Sequence, residues 1–510
     1  MLRAPRTWIA WLAIGSVALV TQLSASVLVN KSFLTPDGAE FLDIARAIQR
    51  GQGFVTQQAW PAWLNPPQLP TPEPFKEPGY PFAIAMMASL AGGIFPAARA
   101  LSLLAGLLIP FATWALARRL WPDPRVALVA GLTAAASPIL IAMSAAVLSE
   151  STFTLLLTLA FAACAGESLA DAALGGLALG LALLTRGQAL IATPALAWLL
   201  ASRPAARGRR LALAAAVTIL TLVPYAMWNL RHFGAPIHRE MAGMGMWPGA
   251  DRFALLLSPD RPPGVFAYLM THRAAFVHFY VSGLSHFLRR TLHHNVLGHI
   301  SLLIPLAIGA VVGLRRGGRL GPLALYAAPT ILLTLAIDWY PRYFACVVPM
   351  LACAIALGVV WAIDRAGERR WGPVAAGTVV ALVAAVALIL AAVRGVQESR
   401  APSAFARERD AAEANAAWLQ RRLAPGQAVM AEIPAYWAWY GDRPVVSPVV
   451  ADRERFEQVM RRLNVRLAAL ETARVDTLAF RYPDRRLPES LHFERADSAQ
   501  GITFFSIKLR

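Results

Sequence analysis

Apolar runs near or above the length of a membrane span recur along this chain, the first beginning at Trp8 and the last ending at Val393. About 17 to 25 apolar residues in a helix cross the roughly 30 Å hydrocarbon core of a bilayer. The pattern therefore predicts a polytopic α-helical membrane protein with about eleven transmembrane helices. The predicted spans are residues 8–29, 98–117, 125–143, 151–165, 172–185, 187–202, 210–229, 296–314, 320–337, 343–362 and 373–393.

Three long segments between or after the spans are predicted to lie outside the bilayer: residues 30–97, residues 230–295 and the tail. In the first, the spacing of apolar positions from Pro36 to Ile48 predicts an amphipathic helix along the membrane surface. The apolar run from Phe82 to Phe95 is short for a span and predicts a second interfacial helix. The tail alternates helical patterns (410–423, 452–463) with strand patterns (428–433, 477–480, 502–509). We expect two domains, a transmembrane domain over 1–395 and a small extracytoplasmic α/β domain over 396–510.

The composition supports a membrane protein. Of 510 residues, 57% are hydrophobic and 15% are charged, and the mean hydropathy is +0.49, outside the balance of soluble globular chains. The tail from residue 394 carries 19 basic and 15 acidic residues, so despite the net charge of +18 we expect no nucleic-acid partner. The three cysteines all lie in predicted spans, where we expect buried apolar residues rather than disulfides or a zinc site.

The distribution of arginine predicts the orientation. With the N-terminus in the cytoplasm, fifteen arginines fall in cytoplasmic loops, while among short outside loops only Arg186 and Arg342 remain. This asymmetry is what the positive-inside rule describes. An odd number of spans then places the C-terminus outside. Only three of the 48 basic residues are lysines, which is typical of a GC-rich bacterial genome and indicates the bacterial inner membrane.

Two carboxylates on the predicted outside face are candidates for catalysis. Asp37 follows the first span, where it can serve as a general base, bind a divalent cation or only N-cap the interfacial helix. Glu150 lies in the turn between the third and fourth spans, where a charged side chain needs a partner, a polar cavity or solvent. Together the two carboxylates are candidate ligands for a divalent cation.

Basic side chains on the same face are candidates for binding phosphate. Arg186 and Arg342 stand in outside turns, where each can bind an anion, extend to the interface or, for Arg342, pair with Asp338. Lys76 and Glu77 precede the second interfacial helix, whose free N–H groups also favour an anion; a local salt bridge is the alternative. The histidines between His286 and His299 show no metal-ligand spacing, so no metal site is predicted there.

Taken in order along the chain, these positions resemble the GT-C superfamily of membrane glycosyltransferases that use polyprenyl-phosphate sugars, in particular bacterial protein O-mannosyltransferases and aminoarabinose lipid A transferases. The similarity covers nearly the whole chain. It rests on four elements: Asp37 with Phe41, Ala45 and Gly51; Pro78-Gly79-Tyr80-Pro81; the segment Trp228 to Gly234; and Arg342-Tyr343 with Pro349. Two positions depart from the family pattern, because Gly38 stands where many members have Glu and Glu77 where a second Pro is common.

The resemblance implies a glycosyltransferase that moves a sugar from a polyprenyl-phosphate donor to a lipid, glycan or protein acceptor outside the cytoplasm. It implies a catalytic role for Asp37, assisted by Glu150 or by a divalent cation held between them. Donor phosphate is expected at Lys76, Arg186 and Arg342. The expected substrate contacts are Glu40, Glu77, Tyr80, His232 and Tyr343. The alternative is a multi-span transporter or lipid flippase with an external domain, although charges at the ends of spans are not typical of transporters.

Overall fold

The structure is a computed structural model that describes residues 7–28, 34–60, 65–202, 206–237, 265–315, 318–337, 339–367, 373–399, 406–449, 451–471, 491–497 and 502–508. The predicted strand at 477–480 and the proposed pairing partner Asp338 lie outside the described residues, as does part of the segment 230–295.

Apolar helices form most of the described chain. They are α1 (Thr7–Leu28), α3 (Gly79–Ala91), α4 (Ile94–Leu120), α5 (Pro124–Ala135), α6 (Pro138–Ala145), α7 (Glu150–Cys164), α8 (Leu169–Thr185), α9 (Thr193–Ala201), α10 (Arg207–Phe233), α11 (Val265–Thr271), α12 (Arg273–His286), α13 (Leu303–Arg315), α14 (Gly321–Ile337), α15 (Val348–Gly367) and α16 (Pro373–Glu398). Helix α2 (Pro36–Gln49) lies between α1 and α3. A π-helical segment (Phe287–Val296) follows α12, and 3-10 turns occupy Gly187–Ala192, Ile300–Leu302 and Pro341–Val347.

Five of the described helices are long and apolar enough to cross a bilayer alone, and two bent pairs bring the number to seven. The pair of α5 and α6 is bent by 52°, and the pair of Arg273–Val296 with Ile300–Arg315 by 101°. Four shorter apolar helices coincide with the remaining predicted spans, so every predicted span overlaps an apolar helix or bent pair. The multi-pass helical architecture is thus confirmed, while the count of eleven crossings stays a prediction.

Glycine sets the closest helix contact in this bundle. A Cβ atom on Gly309 would lie 1.7 Å from the Ala354 carbonyl oxygen, and one on Gly358 would lie 1.9 Å from the Pro305 carbonyl oxygen. Helices α13 and α15 therefore meet backbone to backbone, as small residues allow in membrane bundles.

The first interfacial helix is present as α2, and its predicted place along the membrane surface stays a prediction. Residues 38–45 of α2 are buried on every face, because α3 packs on one side and a tail helix, α18 (Pro434–Gly441), on another. The second predicted helix is present as α3, and its interfacial position stays a prediction. Its residues Phe82, Met86 and Leu90 are exposed, and they form an apolar face suited to lipid.

The tail contains the predicted α/β structure. Its elements are α17 (Ala406–Arg422), β4 (Ala428–Ala431), α18, β5 (Val445–Val446), α19 (Arg453–Arg462), β6 (Val465–Glu471), β7 (Leu491–Asp497) and β8 (Ile502–Ile507). The six-stranded sheet also includes a strand of the first outside segment, β2 (Gln58–Ala59), in the order β2-β5-β4-β6-β8-β7. Strands β2, β5, β4 and β6 are parallel, and β8 pairs antiparallel with both β6 and β7. A short hairpin pairs β1 (Val55–Thr56) with β3 (Thr71–Pro72).

Charged contacts join α2 to the tail. Arg46 donates to the carbonyl oxygens of Ala438 and Trp439, both at 2.7 Å, and to the buried Asp43 at 2.6 Å. Arg50 forms a two-pronged ion pair with Asp442, with both N–O distances at 2.9 Å. The tail sheet is thus built partly from the first outside segment, which the domain division at residue 395 did not anticipate; that boundary stays a prediction.

Candidate active site

Asp37 lies in the first turn of α2 but does not cap it. The N-cap is Thr35, whose hydroxyl oxygen accepts the Gly38 N–H at 3.1 Å, and Pro36 supplies the first helical residue. The capping alternative for Asp37 is therefore wrong. Gly38 lets this turn approach the end of α6, because a Cβ atom there would lie 2.6 Å from the Val147 carbonyl oxygen. The departure from the family pattern at Gly38 thus coincides with a close backbone contact beside Asp37.

The loop that carries Lys76 is fixed from two sides. The carboxyl oxygen Oε1 of Glu73 accepts the backbone N–H groups of Phe75 and Lys76, at 2.8 and 2.9 Å. Behind Lys76, α3 begins against the end of α8, where a Cβ on Gly79 would lie 2.8 Å from the Leu184 carbonyl oxygen. Only glycine permits this contact without a shift of the backbone. Lys76 is thereby directed toward Asp37.

A cavity of about 510 Å³ brings together seven of the ten predicted site residues. They come from the first turns of α2 and α7, the loop before α3, the residue after α8 and the 3-10 turn before α15. The seven are Asp37, Lys76, Glu77, Glu150, Arg186, Arg342 and Tyr343.

Both oxygens of Asp37 are held by cations. Oδ1 accepts the Lys76 ammonium at 2.6 Å and Oδ2 accepts the Arg342 guanidinium at 2.5 Å. Burial alone would raise the pKa of the Asp37 carboxyl, but the charges of Lys76 and then Arg342 hold it well below its ordinary value. Asp37 is therefore ionised at any physiological pH.

Glu150 is the most buried carboxylate of the cavity, with 3% of its side chain exposed. Its Oε1 lies 3.1 Å from Arg186 and 3.7 Å from Arg342, yet neither oxygen accepts a hydrogen bond from a described group. The Tyr343 ring stacks between the same two guanidiniums, with centroid distances of 5.5 and 4.9 Å. A buried carboxylate whose oxygens lack donors is well placed to accept a hydrogen bond from a ligand.

The arrangement does not fit the predicted divalent cation between Asp37 and Glu150. The guanidinium of Arg342 contacts both carboxylates and so occupies the position that the cation would need. Among the described residues, no group of three His, Cys, Asp or Glu side chains could hold a metal ion. We therefore derive no step through a metal.

Comparison with the sequences of curated proteins gives no match. Residues 72–228 match the model of a family described as dolichyl-phosphate-mannose-protein mannosyltransferase. This match includes Lys76, Glu77, Glu150 and Arg186 but covers less than half of the chain.

Solved structures match the chain along nearly its whole length. ArnT from Cupriavidus metallidurans bound to undecaprenyl phosphate is 15% identical, with a TM-score of 0.60, and the match covers 98% of each chain. The chain has the GT-C fold. The Archaeoglobus fulgidus oligosaccharyltransferase tethered to an acceptor peptide is 14% identical, with a TM-score of 0.63 over 99% of this chain and 75% of that one. The same enzyme, AglB, with an inhibitory peptide and dolichol-phosphate gives 12% identity and a TM-score of 0.56 over 98% and 75%.

Within the GT-C fold, three predicted substrate contacts, Glu40, Tyr80 and His232, lie outside the residues that line the cavity, and their roles stay predictions. Tyr80 is fully buried and its hydroxyl is 2.9 Å from the Ser102 hydroxyl, so it packs α3 on α4. His232 is exposed and bonds the Trp228 carbonyl of its own helix at 2.8 Å. Glu40 also lies outside the cavity lining, and its carboxylate contacts Lys76 at 3.0 Å.

The GT-C site also contains residues that sequence reasoning missed. Tyr225 of α10 and Gln188 after α8 line the cavity, and the Ser149 hydroxyl lies 3.2 Å from Arg186. Glu73 is 1% exposed, and burial together with the nearby Glu40 raises its pKa to about 8. The three-residue spacing of Glu73 and Lys76 was the only signal that could have linked Glu73 to the site.

Proposed function

We propose that this protein transfers a sugar from a polyprenyl-phosphate donor to a hydroxyl group of a lipid, glycan or protein acceptor. One observation carries the proposal: a carboxylate, Asp37, shares a single cavity with three basic side chains, Lys76, Arg186 and Arg342. In such a transfer the acceptor oxygen attacks the anomeric carbon, the phosphate leaves with the electron pair of the broken bond, and the proton of the acceptor hydroxyl passes to the departing phosphate. The site must therefore orient a hydroxyl and stabilise a developing phosphate charge.

The basic side chains serve the leaving phosphate. Arg186 and Arg342 provide planar donors that match phosphate oxygens in pairs, and Lys76 adds a third positive charge. Because these cations are already fixed by Glu150, Tyr343, Glu40 and Asp37, little reorganisation is required as charge develops. No nucleotide site is needed, since the donor is a lipid.

Asp37 orients and polarises the acceptor hydroxyl in this proposal. Its lowered pKa makes it a weak proton acceptor but a constant anion, so its main contribution is a strong hydrogen bond to the attacking group. Glu150, whose oxygens lack donors among the described residues, accepts a second hydroxyl of the sugar or acceptor.

The site faces the outside of the bacterial inner membrane in this proposal, with the N-terminus in the cytoplasm and the tail sheet outside. The distribution of arginine between the two sets of loops supports this orientation. The donor then enters from the membrane, and the acceptor approaches from the extracytoplasmic side. The transporter alternative has no support from the fold or the family match.

The decisive experiment measures transfer of labelled sugar from polyprenyl phosphate in membranes that contain the wild-type chain or Asp37→Asn. Asparagine keeps the shape but loses the charge, and we expect transfer to fall by about two to three orders of magnitude. The matched control is Asp364→Asn, which changes a half-exposed carboxylate outside the cavity and should leave transfer unchanged. Equal turnover of wild type and Asp37→Asn at equal expression would contradict the proposal.

A further inference from the structure

A second cavity, of about 930 Å³, lies beside the active site and takes no part in the proposed reaction. It opens between α12, the π-helical segment and the end of α16. Trp339 lines it, three residues before Arg342 of the active site. The segment 339–342 thus contributes a residue to each of the two cavities.

The side chains that line this cavity are mainly basic. Arg289 and Arg290 project from the π-helical segment and Arg394 from α16, and three histidines add further donors. The single acidic lining residue, Glu398, is already engaged: it accepts Asn295 at 3.2 and 3.1 Å and Arg394 at 3.3 Å. Among the described residues, no carboxylate lies within ion-pair distance of Arg289 or Arg290. The described lining of the cavity therefore carries a net positive charge, with Arg289 and Arg290 unpaired within it.

The wall of the cavity is ordered by aromatic packing. Trp339 packs on Phe279, with ring centroids 4.8 Å apart, and stacks on His286 at 6.1 Å. A Cβ atom on Gly283 would lie 2.3 Å from the Trp339 ring nitrogen, so glycine at 283 makes room for the indole. The cavity is consequently a built feature of α12 and Trp339 rather than a gap between loose side chains.

The rim of the cavity is apolar and exposed. Val281 and Leu288 are both more than half exposed, and Val393, next to Arg394, is 49% exposed. These side chains continue the lipid-facing surfaces of α12 and α16. An apolar rim below a basic cavity matches a ligand with acyl chains and a phosphate group.

We propose that this cavity binds the phosphate headgroup of an anionic membrane phospholipid, with Arg289 and Arg290 as its main ligands. The acyl chains lie along the exposed side chains of α12 and α16. This site is distinct from the donor site, and it does not depend on the proposed transfer activity.

The test measures binding of phosphatidylglycerol and of zwitterionic phosphatidylcholine to the purified full-length chain in detergent, by native mass spectrometry. We expect the wild type to prefer phosphatidylglycerol, and the variant with Arg289→Gln and Arg290→Gln to bind it about 30-fold more weakly. The matched control, Arg207→Gln with Arg209→Gln, removes the same charge from exposed positions of α10 and should retain the preference. If the double variant does not purify as one species, the single variant Arg289→Gln is used instead, and its affinity for phosphatidylglycerol should fall about fivefold.

Two results would overturn the site. If the wild-type protein binds phosphatidylglycerol and phosphatidylcholine equally well, the site does not exist. If the α10 control loses phosphatidylglycerol binding as much as the Arg289 and Arg290 variant does, the loss reflects net charge alone. Undecaprenyl phosphate is added in a third arm and should leave phosphatidylglycerol bound. If undecaprenyl phosphate displaced phosphatidylglycerol at equal concentration, the cavity would be a binding site for the donor instead. None of these binding results depends on sugar transfer, so failure of the lipid site and failure of the proposed function are distinguishable.

Discussion

The guanidinium of Arg342 donates to the carboxylate of Asp37 at 2.5 Å across 305 positions of the chain. The same guanidinium lies 3.7 Å from Glu150. A segment near the end of the membrane domain therefore links two carboxylates that are contributed near its beginning. Loss of this link affects the charge balance of the whole cavity.

We expect Arg342→Ala to lower kcat/KM for sugar transfer by about 100-fold or more, because a preorganised donor for the leaving phosphate is lost. Arg342→Lys should restore little of the lost activity, since the compact ammonium of lysine cannot contact both carboxylates as the planar guanidinium of arginine does. The assay is the labelled-sugar transfer used for Asp37→Asn. Arg315→Ala, an exposed arginine at the end of α13, is the control, and a similar loss there would contradict a specific role.

Replacing Glu150 with Gln should separate catalysis from donor binding. The amide keeps the size of the side chain but frees Arg186 and Arg342 from their anionic neighbour. We expect kcat to fall by about 30-fold, whereas the KM for the donor stays the same or decreases because both guanidiniums remain available for phosphate. A variant with wild-type kcat and a raised KM would contradict this assignment.

The raised pKa of the Glu73 carboxyl predicts that the stability of the folded protein depends on pH. The folded protein retains the carboxyl proton up to a pKa of about 8, whereas the unfolded chain releases it near 4.5. Between these values the folded state binds more protons, so the free energy of unfolding decreases as pH rises, by about 5 kcal/mol over the window.

Glu73→Gln cannot release a proton and should remove this dependence. Thermal unfolding in detergent between pH 5 and 8.5 should show a falling Tm for wild type and a nearly constant one for the variant. Glu454→Gln, at an exposed position of α19, should behave like wild type. Parallel curves for wild type and Glu73→Gln would show that Glu73 is not the titrating group.

Gly79→Ala tests the contact that fixes the Lys76 loop. The added methyl group would lie 2.8 Å from the Leu184 carbonyl oxygen, and we expect a loss of about 1 to 3 kcal/mol in stability together with reduced transfer. Gly208→Ala in α10 meets no atom within 4 Å and should be neutral or stabilising by up to about 1 kcal/mol. Comparable Tm values for the two variants would argue against a close approach at Gly79.

The sequence predicted the helical segments because each carries its own apolar signal, independent of its neighbours. It also predicted the membership of the cavity, since Asp37, Glu150, Arg186 and Arg342 are rare charges at the ends of apolar helices. The places of Glu73 and Tyr80 were not accessible in this way. Their burial depends on which helices pack around them. A Pro-rich loop or a short juxtamembrane motif has no periodic pattern of apolar residues from which this burial could be predicted.

Strand β2 was missed for a related reason, because two residues are too few to show an alternating pattern. Its partner β5 is equally short. Pairing between them is specified by the contacts of α2 with α18 rather than by either strand alone. The tail consequently looked like an independent domain in the sequence.

This shared sheet has a consequence for biosynthesis. Gln57, next to β2, contacts Asp442 across 385 positions of the chain, so the segment that contains β2 is synthesised long before its partner strand. Until the tail has been translated, α2 lacks the surface of α18 on which it packs. We infer that the cavity around Asp37 is completed only after the tail has been synthesised, and that truncation within the tail would leave a chain with its apolar helices but an incomplete site, exposed to quality-control proteases.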